Sequence, residues 1–227
     1  MSKAIFWNAR GAGSDKFRSD VSDLIQIHKV DIIAICEPRV QFSKAEKCFE
    51  KLGFSDHKIM EATGFSGGIW LLWDKSKLSV DVIDVHFQAI TAKINLPGAS
   101  TWILSIIYAS PTYSMRASLW GYLENLFAAT GLPYALIGDF NELLDSFAKN
   151  MGSLVGRFGG LRDWVNRNGI IDIGFQVSTY TWTNGRIKER LDRGLCSSDW
   201  RIAFPEAFIK HLAKMKSDHC PIATSLK

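Results

Sequence analysis

The stretch Tyr134–Asn141, with the sequence Tyr-Ala-Leu-Ile-Gly-Asp-Phe-Asn, constrains the fold of this chain more than any other. Its apolar first half, which follows Pro133, predicts a buried strand, and Gly138 allows the backbone to turn where that strand ends. In extended geometry Asp139 and Asn141 point to the same side, so a carboxylate and an amide would face one spot at a sheet edge. That pair suits positioning a water molecule and polarising a phosphate. A turn without chemistry is the alternative, because Gly, Asp and Asn all favour turns.

Polar residues follow other apolar runs in the same way. Asn8, Glu37 and Tyr108 each come at or just after the end of such a run, which predicts three more buried strands. Pro38 stops the second of these strands and favours extended geometry at Glu37. Taken singly, a Glu before Pro is usually a solvated loop residue, and a Tyr at a strand end is usually an amphipathic rim residue.

The last part of the chain adds two polar motifs. Asp192 lies between two arginines, where a surface ion pair of little consequence is the ordinary interpretation. Asp218 and His219 are neighbours in sequence, and adjacent side chains point apart in a strand. We therefore expect the carboxylate that orients His219 to come from elsewhere in the chain.

Composition limits the class of protein. The chain has 227 residues, of which 47% are apolar and 22% charged, as in a globular domain with a substantial core. It contains no linker, so we expect a single domain over residues 1–227. The formal net charge of +4 permits a polyanionic partner. No apolar run approaches the about 18 residues that a membrane span needs, so no membrane association is expected.

The order of elements predicts the fold class and the chemistry. The central strands cluster without one helix per strand, which favours an α/β protein with a two-sheet core and helices outside. If the strand ends converge, they form a pocket of carboxylates, amides, a phenol and an imidazole. Several carboxylates in one place repel each other unless a cation lies among them, and oxygen ligands select Mg²⁺ or Mn²⁺. Such a pocket is suited to phosphodiester hydrolysis.

As a set, these motifs resemble the endonuclease/exonuclease/phosphatase superfamily, and the resemblance covers residues 3 to 226. The residues that carry it are Trp7-Asn8, Glu37, Tyr108, Gly138-Asp139-Phe140-Asn141, Arg190-Leu191-Asp192 and Ser217-Asp218-His219. A set of longer motifs is similar to the endonuclease domain of plant LINE-type (non-LTR) retrotransposons. These motifs are Trp-Asn-Ala-Arg-Gly-Ala-Gly (7–13), Ser-Gly-Gly-Ile-Trp-Leu-Leu-Trp (66–73), Tyr-Ala-Ser-Pro (108–111), Tyr-Thr-Trp-Thr-Asn (180–184) and Glu-Arg-Leu-Asp-Arg (189–193).

The resemblance implies an apurinic endonuclease-like fold, a four-layer α/β sandwich of two mixed or antiparallel sheets flanked by helices, with the site at one end of the sheets. Glu37, helped by Asn8, would hold the metal. Asp139 would orient the attacking water and help to deprotonate it. Asn141 and Tyr108 would contact the scissile phosphate.

The same resemblance implies roles for the remaining motif residues. His219 would bind the scissile phosphate and stabilise its developing charge, and Asp192 would fix the tautomer of His219. Asp218 would lie near the metal or the water. Thr181 would touch the DNA backbone.

The implied reaction is a Mg²⁺-dependent (or Mn²⁺-dependent) nick in double-stranded DNA that leaves a 3′-hydroxyl to prime reverse transcription. The chain would then be part of a longer polyprotein with a reverse transcriptase, act in the nucleus, and be a monomer as an isolated domain. The alternatives are a catalytically inert DNA-binding relic and a phosphoesterase that acts on apurinic DNA or inositol phosphates.

Two departures from the family pattern stand out. Arg10 occupies the position, two residues after Asn8, where apurinic-site endonucleases carry an acid, which disfavours a second metal and suits a phosphate contact. Lys149 follows Ala148, where the family often has a Glu-Lys pair. Basic residues that are candidates for phosphate contacts, with a solvated surface position as the alternative, are Arg10, Lys16, Arg18, Arg116, Arg186, Lys188 and Lys216.

Overall fold

The computed structural model describes residues 3–62, 67–98 and 100–226, so Ser66 of the quoted 66–73 motif lies outside the described residues. Five α-helices are present in these ranges: α1 (Asp15–His28), α2 (Glu46–Lys51), α3 (Tyr113–Thr130), α4 (Gly160–Arg167) and α5 (Ser198–Ala203). The strands are β1 (Lys3–Asn8), β2 (Ile32–Cys36), β3 (Asp56–Met60), β4 (Ile69–Trp73), β5 (Ser79–His86), β6 (Ala89–Asn95), β7 (Trp102–Tyr108), β8 (Tyr134–Asp139), β9 (Ile171–Asp172), β10 (Phe175–Gln176), β11 (Trp182–Thr183), β12 (Lys188–Glu189), β13 (Asp192–Cys196), β14 (Phe208–His211) and β15 (Ile222–Ser225). None of these helices has the length and hydrophobicity that crossing a bilayer requires.

Most strands belong to two mixed sheets. The seven-stranded sheet has the order β10-β14-β15-β1-β2-β4-β3, and the six-stranded sheet has the order β5-β6-β7-β8-β13-β9. Strands β11 and β12 form a separate hairpin beside them. Parallel pairing occurs in the middle of each large sheet, between β1 and β2 and between β7 and β8. The predicted α/β class with two sheets is confirmed.

Apolar side chains arrange these elements in four layers. Between the two sheets, residues such as Phe6 and Leu71 of the first sheet pack with Ile90 and Leu104 of the second. The outer face of the seven-stranded sheet packs against α1 and α2, and that of the six-stranded sheet against α3 and α4. Strands buried on both faces have continuous apolar runs such as Ile-Trp-Leu-Leu-Trp in β4, where all five residues are buried. The expected four-layer sandwich is therefore the observed architecture.

Gly138 lies within β8, and its role differs from the prediction. A Cβ at this position would lie 2.0 Å from the Ile107 carbonyl oxygen of β7, which no real side chain tolerates. The glycine therefore permits close approach of the two strand backbones, as glycines inside strands often do. The turn comes two residues after the strand, where Asn141 has φ of 50°.

Strand direction brings the polar residues to one end of the molecule. In the parallel pairs, Asn8 lies opposite Cys36 and Tyr108 lies opposite Asp139, so β1 and β2 finish together in one sheet and β7 and β8 in the other. The hydrogen bond from Asn8 to Asp139 shows that both pairs finish at the same end of the molecule. Strand β13 runs the other way and begins there, with Asp192 opposite Asp139. Because β15 is antiparallel to β1, the segment that precedes β15 and carries the Ser-Asp-His motif also lies at this end.

Candidate active site

A cleft of about 300 Å³ opens at this end of the two sheets. One side, which we call the catalytic wall, comes from strand ends and is formed by Glu37, Tyr108, Asp139, Asn141 and His219. The other side, which we call the cationic wall, comes mainly from the loop after β8 and the β11–β12 hairpin and is formed by Lys149, Arg157, Glu189, Trp182, Ile187 and Leu191. Arg10 and Pro111 complete the lining.

Asp139 lies at the centre of the catalytic wall with only 1% of its surface exposed. Its Oδ1 accepts a hydrogen bond from the Asn141 backbone N–H at 3.0 Å, and its Oδ2 accepts one from Asn8 Nδ2 at 3.0 Å. Burial, together with the nearby charge of Asp192, raises the pKa of Asp139 to about 6, although His219 and these hydrogen bonds act in the opposite direction. A carboxyl group with this pKa serves as a general base close to neutral pH.

Glu37 is held by three hydrogen-bond donors and one further ion pair. Its Oε1 accepts from Tyr108 OH at 2.9 Å and from Asn8 Nδ2 at 3.2 Å, and its Oε2 accepts from Arg39 Nη2 at 2.8 Å. Arg10 Nε lies 3.7 Å from Oε1. Burial opposes ionisation, but Arg39, Tyr108, Asn8 and Arg10 together lower the pKa of Glu37, so it is an anion at neutral pH.

The backbone at Glu37 contradicts the predicted extended geometry, because its φ is 48°. Its carbonyl oxygen accepts a hydrogen bond from Gly11 N at 2.8 Å, and its N–H donates to Gly68 O at 3.3 Å. These contacts with two other loops hold a conformation that the following proline alone would disfavour. Strained backbone of this kind is common at functional sites.

His219 and Asp192 form a buried pair. Nδ1 of His219 lies 2.9 Å from Asp192 Oδ2, and the two side chains are 2% and 0% exposed. Burial alone would lower the pKa of His219, but the carboxylates of Asp192 and Asp139 outweigh it and raise that pKa to about 9. Nε2 lies 3.7 Å from Asp139 Oδ2, too far for a hydrogen bond, so its proton is available to a phosphate oxygen. The carboxylate that orients His219 thus comes from elsewhere in the chain, as expected.

Asn141 reconciles the two interpretations of the Gly-Asp-Phe-Asn stretch. It lies in a turn closed by its N–H and the Asp139 side chain, not in an extended strand. Its Nδ2 donates to Ala109 O at 2.7 Å and lies 3.4 Å from Asp139 Oδ2. The turn is therefore what places the amide beside the carboxylate.

Two predicted contacts have a different environment in the structure. Thr181 is 1% exposed, and its hydroxyl accepts hydrogen bonds from the N–H groups of Leu191 and Asp192 at 3.1 and 3.0 Å. We therefore assign Thr181 to orienting Asp192, since a DNA contact would need the side chain at the surface. Asp218 Oδ2 accepts from Trp182 Nε1 at 2.9 Å and pairs with Arg10, so Asp218 orients two cleft residues.

The basic residues that were candidates for phosphate contacts differ in their exposure. Arg116 is buried and donates from Nε to Glu142 at 2.7 Å, so its prediction as a phosphate contact is wrong. A charged side chain is buried there because the Glu142 carboxylate and the Ser110 carbonyl oxygen satisfy it. Arg10 is exposed and lines the cleft, and Arg186 and Lys188 are exposed on the β11–β12 hairpin.

The donor set fits a divalent metal. Asp139, Asp192 and His219 each have a possible ligand atom within 4.8 Å of the others, but Asp192 holds Nδ1 of His219 and the pKa of about 9 keeps that ring protonated, so the ring is not a metal ligand. Next to them, Glu37 carries a carboxylate, and the buried Oδ1 of Asn8 has no hydrogen-bond partner among the described residues. Oxygen donors of this kind match hard cations such as Mg²⁺ and Mn²⁺. A metal on Glu37 would compete with the guanidinium of Arg39.

Sequence reasoning missed the cationic wall. Glu189 is buried and pairs with Lys149 Nζ at 2.9 Å and with Arg157. Lys149 therefore has a carboxylate partner. Glu189 of β12 supplies the carboxylate, whereas the family often has a Glu at the position directly before this Lys. The signal in the sequence was the Glu of the Glu-Arg-Leu-Asp-Arg motif, but only the fold brings it next to Lys149, 40 positions earlier.

Residues 5–219 match the model of the endonuclease/exonuclease/phosphatase family. The comparison with curated protein sequences gives no match. Among solved structures, the endonuclease domain of TRAS1, a telomere-specific non-LTR retrotransposon, is 14% identical with a TM-score of 0.74, over 100% of this chain and 98% of that chain.

Two other solved structures are similar over 100% of both chains. An AP endonuclease from Archaeoglobus fulgidus is 17% identical, with a TM-score of 0.73. The 3′ phosphatase NExo from Neisseria, bound to a product DNA hairpin, is 16% identical, with a TM-score of 0.72. At these identities the likeness establishes a shared fold.

Proposed function

The chain belongs to the endonuclease/exonuclease/phosphatase family, and from this premise we propose that it is a metal-dependent endonuclease that nicks one strand of double-stranded DNA. The observation that carries the proposal is the buried Asp139–His219–Asp192 arrangement beside Glu37 at the base of an open cleft. It combines a carboxylate base with an imidazolium that can stabilise charge on a phosphate. The first can activate water and the second can stabilise developing charge in the hydrolysis of a phosphodiester.

In the proposed mechanism, Asp139 accepts the proton of the attacking water while the water oxygen bonds to phosphorus and the bond from phosphorus to the 3′-oxygen breaks. The leaving 3′-oxygen takes a proton from solvent and becomes the 3′-hydroxyl. The hydrogen bonds from Asn141 N and Asn8 Nδ2 fix the orientation of its carboxylate before substrate binds. Its raised pKa makes it a stronger base than an ordinary carboxylate, yet leaves it ionised at neutral pH.

His219 donates a hydrogen bond from its Nε2–H to a non-bridging oxygen of the scissile phosphate. This contact stabilises the charge that develops there. Asp192 holds Nδ1, so the ring keeps one orientation throughout. Tyr108 remains a neutral phenol, because burial beside Glu37 raises its pKa well above its usual range, and it therefore acts as a hydrogen-bond donor.

Glu37 and Asn8 would hold Mg²⁺ or Mn²⁺, and when bound this ion supplies Lewis-acid stabilisation of the phosphate and of the leaving oxygen. The chain's own part is to keep Glu37 ionised, through Tyr108 and Asn8, and to place it beside Asp139.

We assign the reaction to retrotransposon integration, in which a nick with a 3′-hydroxyl primes reverse transcription. The support is the set of retrotransposon-like motifs in the sequence and the likeness of the fold to the TRAS1 endonuclease domain. On this assignment the partner is double-stranded DNA, the domain acts as a monomer in the nucleus, and a reverse transcriptase belongs to the same longer polyprotein.

A nicking assay on supercoiled plasmid tests this function. We expect conversion to the open circle in Mg²⁺ or Mn²⁺, none in EDTA, and extension of the nick by a DNA polymerase without end repair. Retained DNA binding with no nicking in either metal would identify an inert binding relic. Release of inorganic phosphate from an inositol phosphate, without DNA cleavage, would identify a phosphatase and overturn the proposal.

A further inference from the structure

We propose that Lys149 and Arg157, bridged by Glu189, form a second anion subsite that binds the phosphate of a nucleotide next to the scissile one. The proposal rests on the proposed function, since it names what the same cleft recognises besides the bond that it cuts. It predicts that the cleft selects a polynucleotide over an isolated phosphoester.

The backbone fixes this subsite. Segment 148–150 pairs with segment 188–190 in the manner of an added strand, through Arg190 N to Ala148 O at 2.8 Å and Asn150 N to Lys188 O at 3.1 Å. Lys149 lies opposite Glu189 in this pairing. The Asn150 side chain closes the arrangement, accepting from Lys188 N at 2.7 Å and donating to Arg186 O at 3.1 Å. A rigid backbone therefore supports the Lys149 side chain.

The charged groups of Lys149 and Arg157 can bind a further anion besides Glu189. The Lys149 side chain is 8% exposed, and the carboxylate of Glu189 is its one ion-pair partner among the described residues. An ammonium group has three donors, so others remain for a ligand in the cleft that Lys149 lines. Arg157 also pairs with Glu189, and its buried Nε has no partner within the described part of the chain. Two cations on one carboxylate leave a net positive charge on this wall.

The position of the subsite in the cleft indicates which phosphate this is. Lys149 and Arg157 line the same cleft of about 300 Å³ as Asp139 and His219, and a DNA strand carries one phosphate at every nucleotide. If the scissile phosphate lies against Asp139 and His219, the cationic wall is within reach of a phosphate one or two nucleotides away. A substrate with a single phosphate cannot occupy both places.

The test replaces phosphate charges in the DNA. In a duplex whose nick position has been mapped, each phosphate near the nick is replaced in turn by a neutral methylphosphonate, and the Kd is measured in EDTA. We expect one position within two nucleotides of the nick to weaken binding to the wild-type protein roughly tenfold, as loss of a charge-assisted contact would.

Variants then connect that position to the subsite. In Lys149→Gln the same methylphosphonate should weaken binding less than about twofold, because the contact has already been lost. Lys75→Gln is the matched control, since Lys75 is exposed in the turn after β4, at the opposite end of the sheets, and should keep the tenfold effect. If Lys149→Gln does not fold, Arg157→Gln, with a side chain 29% exposed, carries the same test.

The outcomes separate the two proposals. Nicking by the wild-type protein without any sensitive flanking phosphate, or with equal sensitivity in the wild type and the variants, overturns the subsite and leaves the endonuclease intact. Absence of nicking in either metal removes the premise and overturns both.

Discussion

The two walls of the cleft are built from different parts of the fold. The catalytic wall consists mainly of residues at the ends of β2, β7 and β8, and its key groups are anionic or paired with anions. The cationic wall consists of the loop after β8 and the β11–β12 hairpin, and it carries Lys149 and Arg157. A reaction centre needs a fixed geometry, which strands supply, whereas contacts to a polyanion depend more on charge than on exact placement. This difference predicts that variants of the first wall impair the chemical step and variants of the second impair DNA binding.

The largest effect should come from the centre of the catalytic wall. Asp139→Ala removes the proposed base, and we expect the nicking rate to fall about 100-fold or more while DNA binding is retained. Single-turnover nicking and a binding titration in EDTA measure the two quantities. Asp81→Ala, an exposed carboxylate on β5, is the control and should behave as wild type. Near-normal nicking by Asp139→Ala would remove the distinction between the walls.

The strand that carries Asp139 should tolerate change poorly. Gly138→Ala places a methyl group against the Ile107 carbonyl, and overpacking of this kind costs roughly 1–3 kcal/mol. Thermal unfolding should show a Tm lower by about 2–4 °C for each kcal/mol. Gly121→Ala is the matched control, because Gly121 is exposed in α3 with open space around its Cβ position. That change should preserve or raise the Tm; an equal loss in both variants would contradict the close-approach argument.

Arg39 allows a sharper test of the metal site, because it is a cation that pairs with Glu37 of the catalytic wall. Arg39→Gln frees one oxygen of Glu37 and removes a charge that repels a metal ion, worth about 1 kcal/mol, or roughly fivefold in Kd. Calorimetric titration with Mn²⁺ should therefore show tighter binding than in the wild type. Arg167→Gln, which alters an exposed pair with Glu124, should leave the affinity unchanged. Weaker Mn²⁺ binding in Arg39→Gln would show that Arg39 supports the metal site.

A smaller effect should appear in the pH profile. If nicking requires protonated His219, this requirement is fully met well below the His219 pKa of about 9. The nicking rate then falls as the pH rises through that value. Asp192→Asn removes the largest influence that raises this pKa, so the alkaline limb of the kcat profile should move to lower pH. Asp81→Asn should leave the limb in place. A limb that stays fixed, or moves to higher pH, in Asp192→Asn would show that His219 does not set it.

Much of the fold and of the catalytic wall follows from local sequence. The apolar runs predict β1, β2, β7 and β8. The polar residues at the ends of β2, β7 and β8 line a shared cleft, and Asn8 at the end of β1 is buried and bonds to Glu37 and Asp139. The failures occurred where partners come from distant segments. Glu37 is not extended despite Pro38, Gly138 serves strand packing, and Arg116 is buried because Glu142 neutralises it.

The amino-acid sequence by itself determined which residues end the strands and what chemistry they carry, because strand periodicity and burial are encoded within a few positions. Only the tertiary structure decided which charges meet. Asn8 and Asp139 are 131 residues apart, and the buried partners of Lys149 and His219 also come from separate segments. The cost of burying a charge depends on every group that surrounds it in three dimensions, so those pairings become defined only when the two sheets pack together.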